Sequence, residues 1–157
     1  MRTLLILAML SLPFLAVATN QEPDILLFDG KVLTIDADFG SLPLEQYFKN
    51  GSERPRFAGG MSTSLRREYI AHWEIREKRL YLKGLNALVY NKDGNTTRPH
   101  ELAKLFPNDY RSGEVFAAWY TGNVVSMTGS LKLVFVFANG VLKEIIVPNN
   151  TPDGIQR

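Results

Sequence analysis

The alternation of apolar and polar positions is the strongest signal in the chain. Over residues 69–76, Tyr69, Ala71, Trp73 and Ile75 fall on one face of an extended strand, and Ile70, His72, Glu74 and Arg76 on the other. A charged turn at 77–79 follows, and Leu80 and Leu82 return as the partner strand; residues 85–90 continue it or form another strand. Asp29-Gly30 and Asn139-Gly140 each separate two apolar, β-prone runs. Such pairs mark tight hairpins, because both turn residues need positive φ. Val115, Ala117 and Trp119 alternate with Phe116, Ala118 and Tyr120. Both faces are apolar, which predicts a strand buried on both sides, closed by a turn at 121–123. Two short helices are predicted. One covers 43–48, with Ser41 as its cap and Pro43 in its first turn; the other covers 99–106, with Thr97 as its cap and Leu102, Leu105 and Phe106 as its apolar stripe. The polar stretch 91–97 reads as a loop. The fold class expected is mainly β (α+β): a single antiparallel β-rich domain of about six to eight strands.

The N-terminus breaks this pattern. Arg2 precedes fourteen uncharged residues, 4–17, and small residues stand at 16 and 18. This is the layout of a secretory signal peptide, with cleavage expected after Ala18. A membrane span needs about 20 apolar residues, so the run is too short for an anchor. Residues 19–157 then form one globular domain, with a polar tail at 149–157 expected to fray. The protein is expected in the periplasm or outside the cell, with no transmembrane span after cleavage.

Composition narrows the chemistry. The chain has 157 residues, 45% of them hydrophobic, which suits one packed domain. Eighteen Lys and Arg against sixteen Asp and Glu is too even a balance to suggest a nucleic-acid partner. There is no cysteine and there are two histidines, so thiolate nucleophiles, disulfides and the usual zinc sites are excluded. No cofactor and no metal are expected.

Several segments, taken together and in order, resemble a family of uncharacterised bacterial proteins. They are Leu42-Pro43-Leu44-Glu45-Gln46-Tyr47-Phe48, Arg54-Pro55, Tyr69-Ile70-Ala71-His72-Trp73-Glu74-Ile75 with Leu80-Tyr81-Leu82, and Val115-Phe116-Ala117-Ala118-Trp119-Tyr120-Thr121-Gly122. The family pattern reads "PLxxYF", "RGYxAxWEIxxxxLYL" and "FAxWxxG". The likeness spans about residues 24–147 and departs at Glu68, where the pattern has glycine. It implies a bacterial source and a shared one-domain scaffold. It brings no activity and no catalytic residues.

Candidate chemistry is sparse. His72 and Glu74 share a strand face, as a base with its orienting carboxylate or as two metal ligands would. His100, beside Glu101, could add a third ligand. The plainer reading is a solvent face on which both residues pair with neighbours. Arg54, Arg56, Arg66 and Arg67 cluster around a glycine-bearing loop, and guanidinium forks suit carboxylates or phosphates. They are the candidate binding residues, although one could be tied to the scaffold. Tyr69, Trp73, Tyr81, Trp119 and Tyr120 could line a sugar or apolar pocket, but their strand positions favour core. Gly59 and Gly60 fit no phosphate loop, and Ser62 and Ser64 fit no nucleophile elbow. Sequons occur at Asn50, Asn95 and Asn149. The expected function is a non-enzymatic exported module that binds another exported protein or an envelope component, through a sheet face or the 51–67 loop. The rival is a small hydrolase using His72 and Glu74.

Overall fold

The computed structural model of the chain describes residues 21–35, 42–51, 54, 65–91, 94–128 and 131–148. The predicted signal peptide, Ser41, Arg56, the paired glycines, Ser62, Ser64 and the tail at 149–157 lie outside these residues.

Asp29 and Gly30 take φ of 50° and 70°, the left-handed pair that a two-residue hairpin turn demands. β1 (Asp24–Phe28) therefore folds back on β2 (Lys31–Ile35). Glu77 and Lys78, at φ 50° and 60°, make the same turn between β3 (Tyr69–Arg76) and β4 (Arg79–Asn91). Asn139 and Gly140 make it between β9 (Leu131–Ala138) and β10 (Val141–Ile146). All three predicted hairpins are present. The alternation in β3 is also as read: Tyr69, Ala71, Trp73 and Ile75 are buried, and the intervening side chains face outward.

The strands close on themselves. The hydrogen-bonded order β10-β9-β8-β2-β1-β3-β4 returns to β10 through Val141 opposite Arg79, giving a seven-stranded barrel that includes β8 (Gly122–Thr128). Every neighbouring pair is antiparallel except β1 and β3. An odd number of strands cannot alternate direction all the way round, so one parallel pair is a topological necessity. β4 is long enough to serve more partners. Its Tyr81 and Leu82 pair with β7 (Glu114–Phe116), which carries β6 (Tyr110–Arg111), and residues 86–91 pair with β5 (Gly94–Pro99). A bulge at Lys83 shifts the register, so Leu80, Leu82 and then Leu85 all stay inside.

Several expectations need correction. Ten strands form among the described residues, more than expected, because β4 carries β5 and the β6–β7 pair beside the barrel. The helix expected at 99–106 is α2 (Leu102–Leu105); Thr97 is no cap but pairs with Leu88 inside β5, so the loop expected at 91–97 is largely strand. The strand expected through 115–120 stops at Phe116, where Ala117 to Tyr120 turn back, and Gly122 already belongs to β8. The first helix, α1 (Pro43–Lys49), forms as predicted, but Leu42 holds its cap position without a side-chain bond.

The strand directions put β1 and β3 starts, the β2 end and the 139–140 turn at one end of the barrel. α1 packs there. The Trp119 indole donates to the Pro43 carbonyl at 2.8 Å, and the Gln46 amide both donates to and accepts from the Thr121 backbone. Tyr47 packs against the stacked pair Phe106 and Trp119, with ring centroids 4.7 Å from each. The interior is filled by Tyr69, Trp73, Tyr120, Phe135 and Phe137. Burying each such side chain contributes about 1.5–3 kcal/mol. The other end collects the 29–30 and 77–78 turns, the β8–β9 connection and the end of β10. It is called the turn end below.

Gly140 shows how tightly the chain is packed near α1. Its φ is 73°, and a Cβ there would lie 2.5 Å from the Ala117 carbonyl oxygen. Glu68 takes φ 64° just before β3. Glycine enters that conformation freely, whereas a residue with a side chain rarely adopts it.

Candidate functional site

Asp24 opens β1 on the inward row with Leu26, so the fold carries a carboxylate into its core. It is fully buried and needs partners there. The Arg67 guanidinium donates to Asp24 Oδ1 at 2.8 Å, the Ala71 N–H to the same oxygen at 3.0 Å, and the Trp73 indole N–H to Oδ2 at 3.2 Å. Burial pushes the Asp24 carboxyl above its ordinary value, while Arg67 and the two N–H groups oppose the shift. Burial works against the Arg67 charge, but Asp24 and Tyr69 outweigh it and raise its pKa. The Tyr69 hydroxyl donates to Glu45 at 2.6 Å; its pKa is pushed up by burial and by the charges of Asp24 and Glu45, so it remains a donor. Arg54 completes the chain, donating to Glu45 at 3.0 Å and to the Arg67 carbonyl at 2.7 Å. The network ties β1, β3, α1 and the 65–68 segment together.

Two of the candidate binding arginines thus bond to the rest of the chain: Arg67 is buried against Asp24, and Arg54, itself exposed, spans α1 and the Arg67 backbone. Arg66 faces solvent, its backbone N–H donating to Gln21, and Arg56 lies outside the described residues. The pairing of Arg67 with Asp24 was not foreseen. The available signal was Asp24 itself, an acid in phase with Leu26 and Phe28.

His72 and Glu74 lie on the outer face of β3 as their spacing predicts. The His72 ring is 3.1 Å from the Asn86 amide. Glu74 accepts from Arg76 at 3.3 Å and lies 3.6 Å from Lys83, and both cations also bind Glu114. Hydrogen bonds from Arg76 and Lys83 hold the Glu114 carboxyl below its ordinary value. This is a surface charge network across β3, β4 and β7. A cleft of about 250 Å³ opens beside it, lined by Asn86, Pro99, His100, Glu101 and Tyr110 among others; neither His72 nor Glu74 lines it. His100 lines this cleft together with Asn86, the partner of His72, and Glu101 pairs with Lys104. Among the described residues, no three His, Asp or Glu side chains are gathered as a metal site. Of the aromatic set, Tyr69, Trp73 and Tyr120 are core, Trp119 is half-buried against α1, and Tyr81 lies under Arg76 outside.

The turn end has a different character. The large hydrophobic residues exposed among the described residues are Leu27, Val32, Met127, Leu131, Ile145, Ile146 and Val147. Each lies at the end of β1, the start of β2, the end of β8, the start of β9 or the end of β10. Strand direction places all of these at the turn end. Leu27 and Val32 are cross-strand partners on the outer face, and Val32 is 71% exposed. Met127 lies opposite Thr34, the next outward position of β2. Leu131 continues the inward row of Phe135 and Phe137, and Ile145 lies opposite Phe135. The apolar surface therefore runs from the outer wall onto the rim.

No family model, no curated protein and no solved structure matches the chain. Among the described residues, no helix is long and apolar enough to cross a membrane.

Proposed function

We propose that the protein is an exported binding or accessory module, not an enzyme, that recognises an envelope component or another exported protein. The observation that carries this reading is the apolar turn end. Exposed apolar side chains scattered singly are ordinary, but a contiguous group marks an interaction surface. Here the exposed residues gather at one end of the barrel, while the other end is occupied by α1. The arginine loop is the weaker candidate surface, because Arg54 and Arg67 spend their hydrogen bonds on the scaffold. The hydrolase reading draws less support. Glu74 is engaged by two cations, and a catalytic pair works in a recess that excludes water, not on an outer strand face.

Export rests on the N-terminal apolar segment, and the bacterial source on the family resemblance. Deleting residues 2–18 is expected to trap the protein in the cytoplasm; unchanged export of the deletion would refute this part. For binding, the processed chain is incubated with envelope fractions and sedimented. Val32→Asp with Ile146→Asp is expected to abolish co-sedimentation, and Arg66→Ala to leave it intact. The opposite pattern would return the arginine loop to first place.

A further inference from the structure

The turn end carries charge as well as apolar surface. Lys31 stands beside Val32 at the start of β2, Lys132 beside Leu131 and opposite Met127, and Lys143 in the β10 bulge. Lys78 adds to the 77–78 turn, whereas the Arg79 guanidinium turns onto the Phe116 ring, 5.4 Å from its centroid, and does not count here. The acids at this end are Asp29, Glu77 and Glu144. Basic side chains therefore outnumber acidic ones around an exposed apolar group. Apolar tips to enter the acyl boundary, with lysines to meet phosphates, are the two requirements of interfacial membrane binding.

We propose that the turn end docks on the surface of an anionic lipid bilayer. The inference rests on the binding reading above and names the partner of that same surface. Leu27, Val32, Met127 and Ile146 enter the headgroup–acyl boundary, and Lys31, Lys132 and Lys143 lie over the phosphates. Charge complementarity favours this occupant over a second copy of the chain, which would bring two basic ends together. The chain's own segment 149–157 follows directly from this end, but it offers Ile155 as its sole large apolar residue and would cover the patch poorly. The barrel also suits the task mechanically. The docking residues sit on short strand ends whose backbone is paired within the sheet, so little order is lost on binding.

The test uses the processed chain and protein-free vesicles. Equimolar phosphatidylcholine and phosphatidylglycerol vesicles are compared with pure phosphatidylcholine by sedimentation. Binding to the anionic vesicles is expected, weakened by added salt and at least about tenfold weaker to the neutral ones. Val32→Asp with Ile146→Asp is expected to weaken it by at least about tenfold, each substitution removing an apolar side chain from the bilayer boundary. Both positions are exposed, and an unchanged dichroism spectrum confirms folding. Lys31→Glu with Lys143→Glu is the second arm and is expected to abolish the preference for phosphatidylglycerol. Equal binding to both vesicle types would overturn the proposal, as would a turn-end-dependent dimer in sedimentation velocity. Binding to envelope fractions but not to vesicles would overturn the lipid assignment and leave the broader binding reading standing. Loss of both would overturn the two together.

Discussion

Replacing Arg67 by methionine tests the polar network most sharply. The substitution keeps much of the aliphatic stem and removes the guanidinium that donates to Asp24 at 2.8 Å. Asp24, with no solvent exposure, is left with the Ala71 and Trp73 N–H groups and no countercharge. Breaking a buried pair in this way costs about 3–5 kcal/mol, because the remaining charge is desolvated and unopposed. For a domain of this size that is a fall in Tm of roughly 10 °C or more. Asp24→Asn fails differently. One of its two acceptor oxygens becomes an amide N–H set against an N–H donor, and Arg67 loses its counterion. The double variant carries neither orphaned charge, so it should be less destabilised than the two single costs added together, by about 2 kcal/mol or more. Urea unfolding followed by tryptophan fluorescence measures all three, with Trp73 itself bonded to Asp24. An Arg67→Met cost below about 1 kcal/mol, or additive single costs, would show that the pair does not act as one unit.

Other expectations follow from the same geometry. Gly140→Ala should cost about 2 kcal/mol or more, since its Cβ would meet the Ala117 carbonyl in a positive-φ conformation; Gly30→Ala, with open space around it, should cost roughly 1 kcal/mol by thermal unfolding. Glu68→Gly should stabilise the fold by roughly 0.5–1 kcal/mol, provided its N–H to Leu65 and carbonyl to Leu88 bonds persist in exchange measurements. The Glu114 carboxyl should titrate below the ordinary glutamate value in a pH series by NMR, and Lys83→Ala should move it back up. Because the folded value is the lower one, its small contribution to stability is present above the unfolded value and lost as the pH falls through the folded one.

The hairpins were legible because their cause is local. Asp29-Gly30 and Asn139-Gly140 carry the left-handed turn in their own residues, and the β3 alternation carries its burial. β5 was not legible, since Thr96 to Pro99 become strand only through pairing with a β4 extended beyond its hairpin with β3. Closure was equally invisible: Val141 opposite Arg79 and Thr34 opposite Met127 join residues far apart in sequence. The division within the arginine cluster was hidden for the same reason. Charge spacing gave no hint that Arg67 turns inward while Arg66 beside it faces solvent. The turn-end patch lay beyond reach because its members come from five strands. Each residue alone reads as an ordinary strand position, and only strand direction gathers them.

Hydrogen exchange of the processed chain with and without envelope fraction tests the central claim most directly. The account predicts new protection at residues 27–32, 127–132 and 142–147, with the α1 end and the 83–86 and 99–102 cleft segments unchanged. Protection confined to residues 65–74 or to the cleft, with the turn end unaffected, would contradict it.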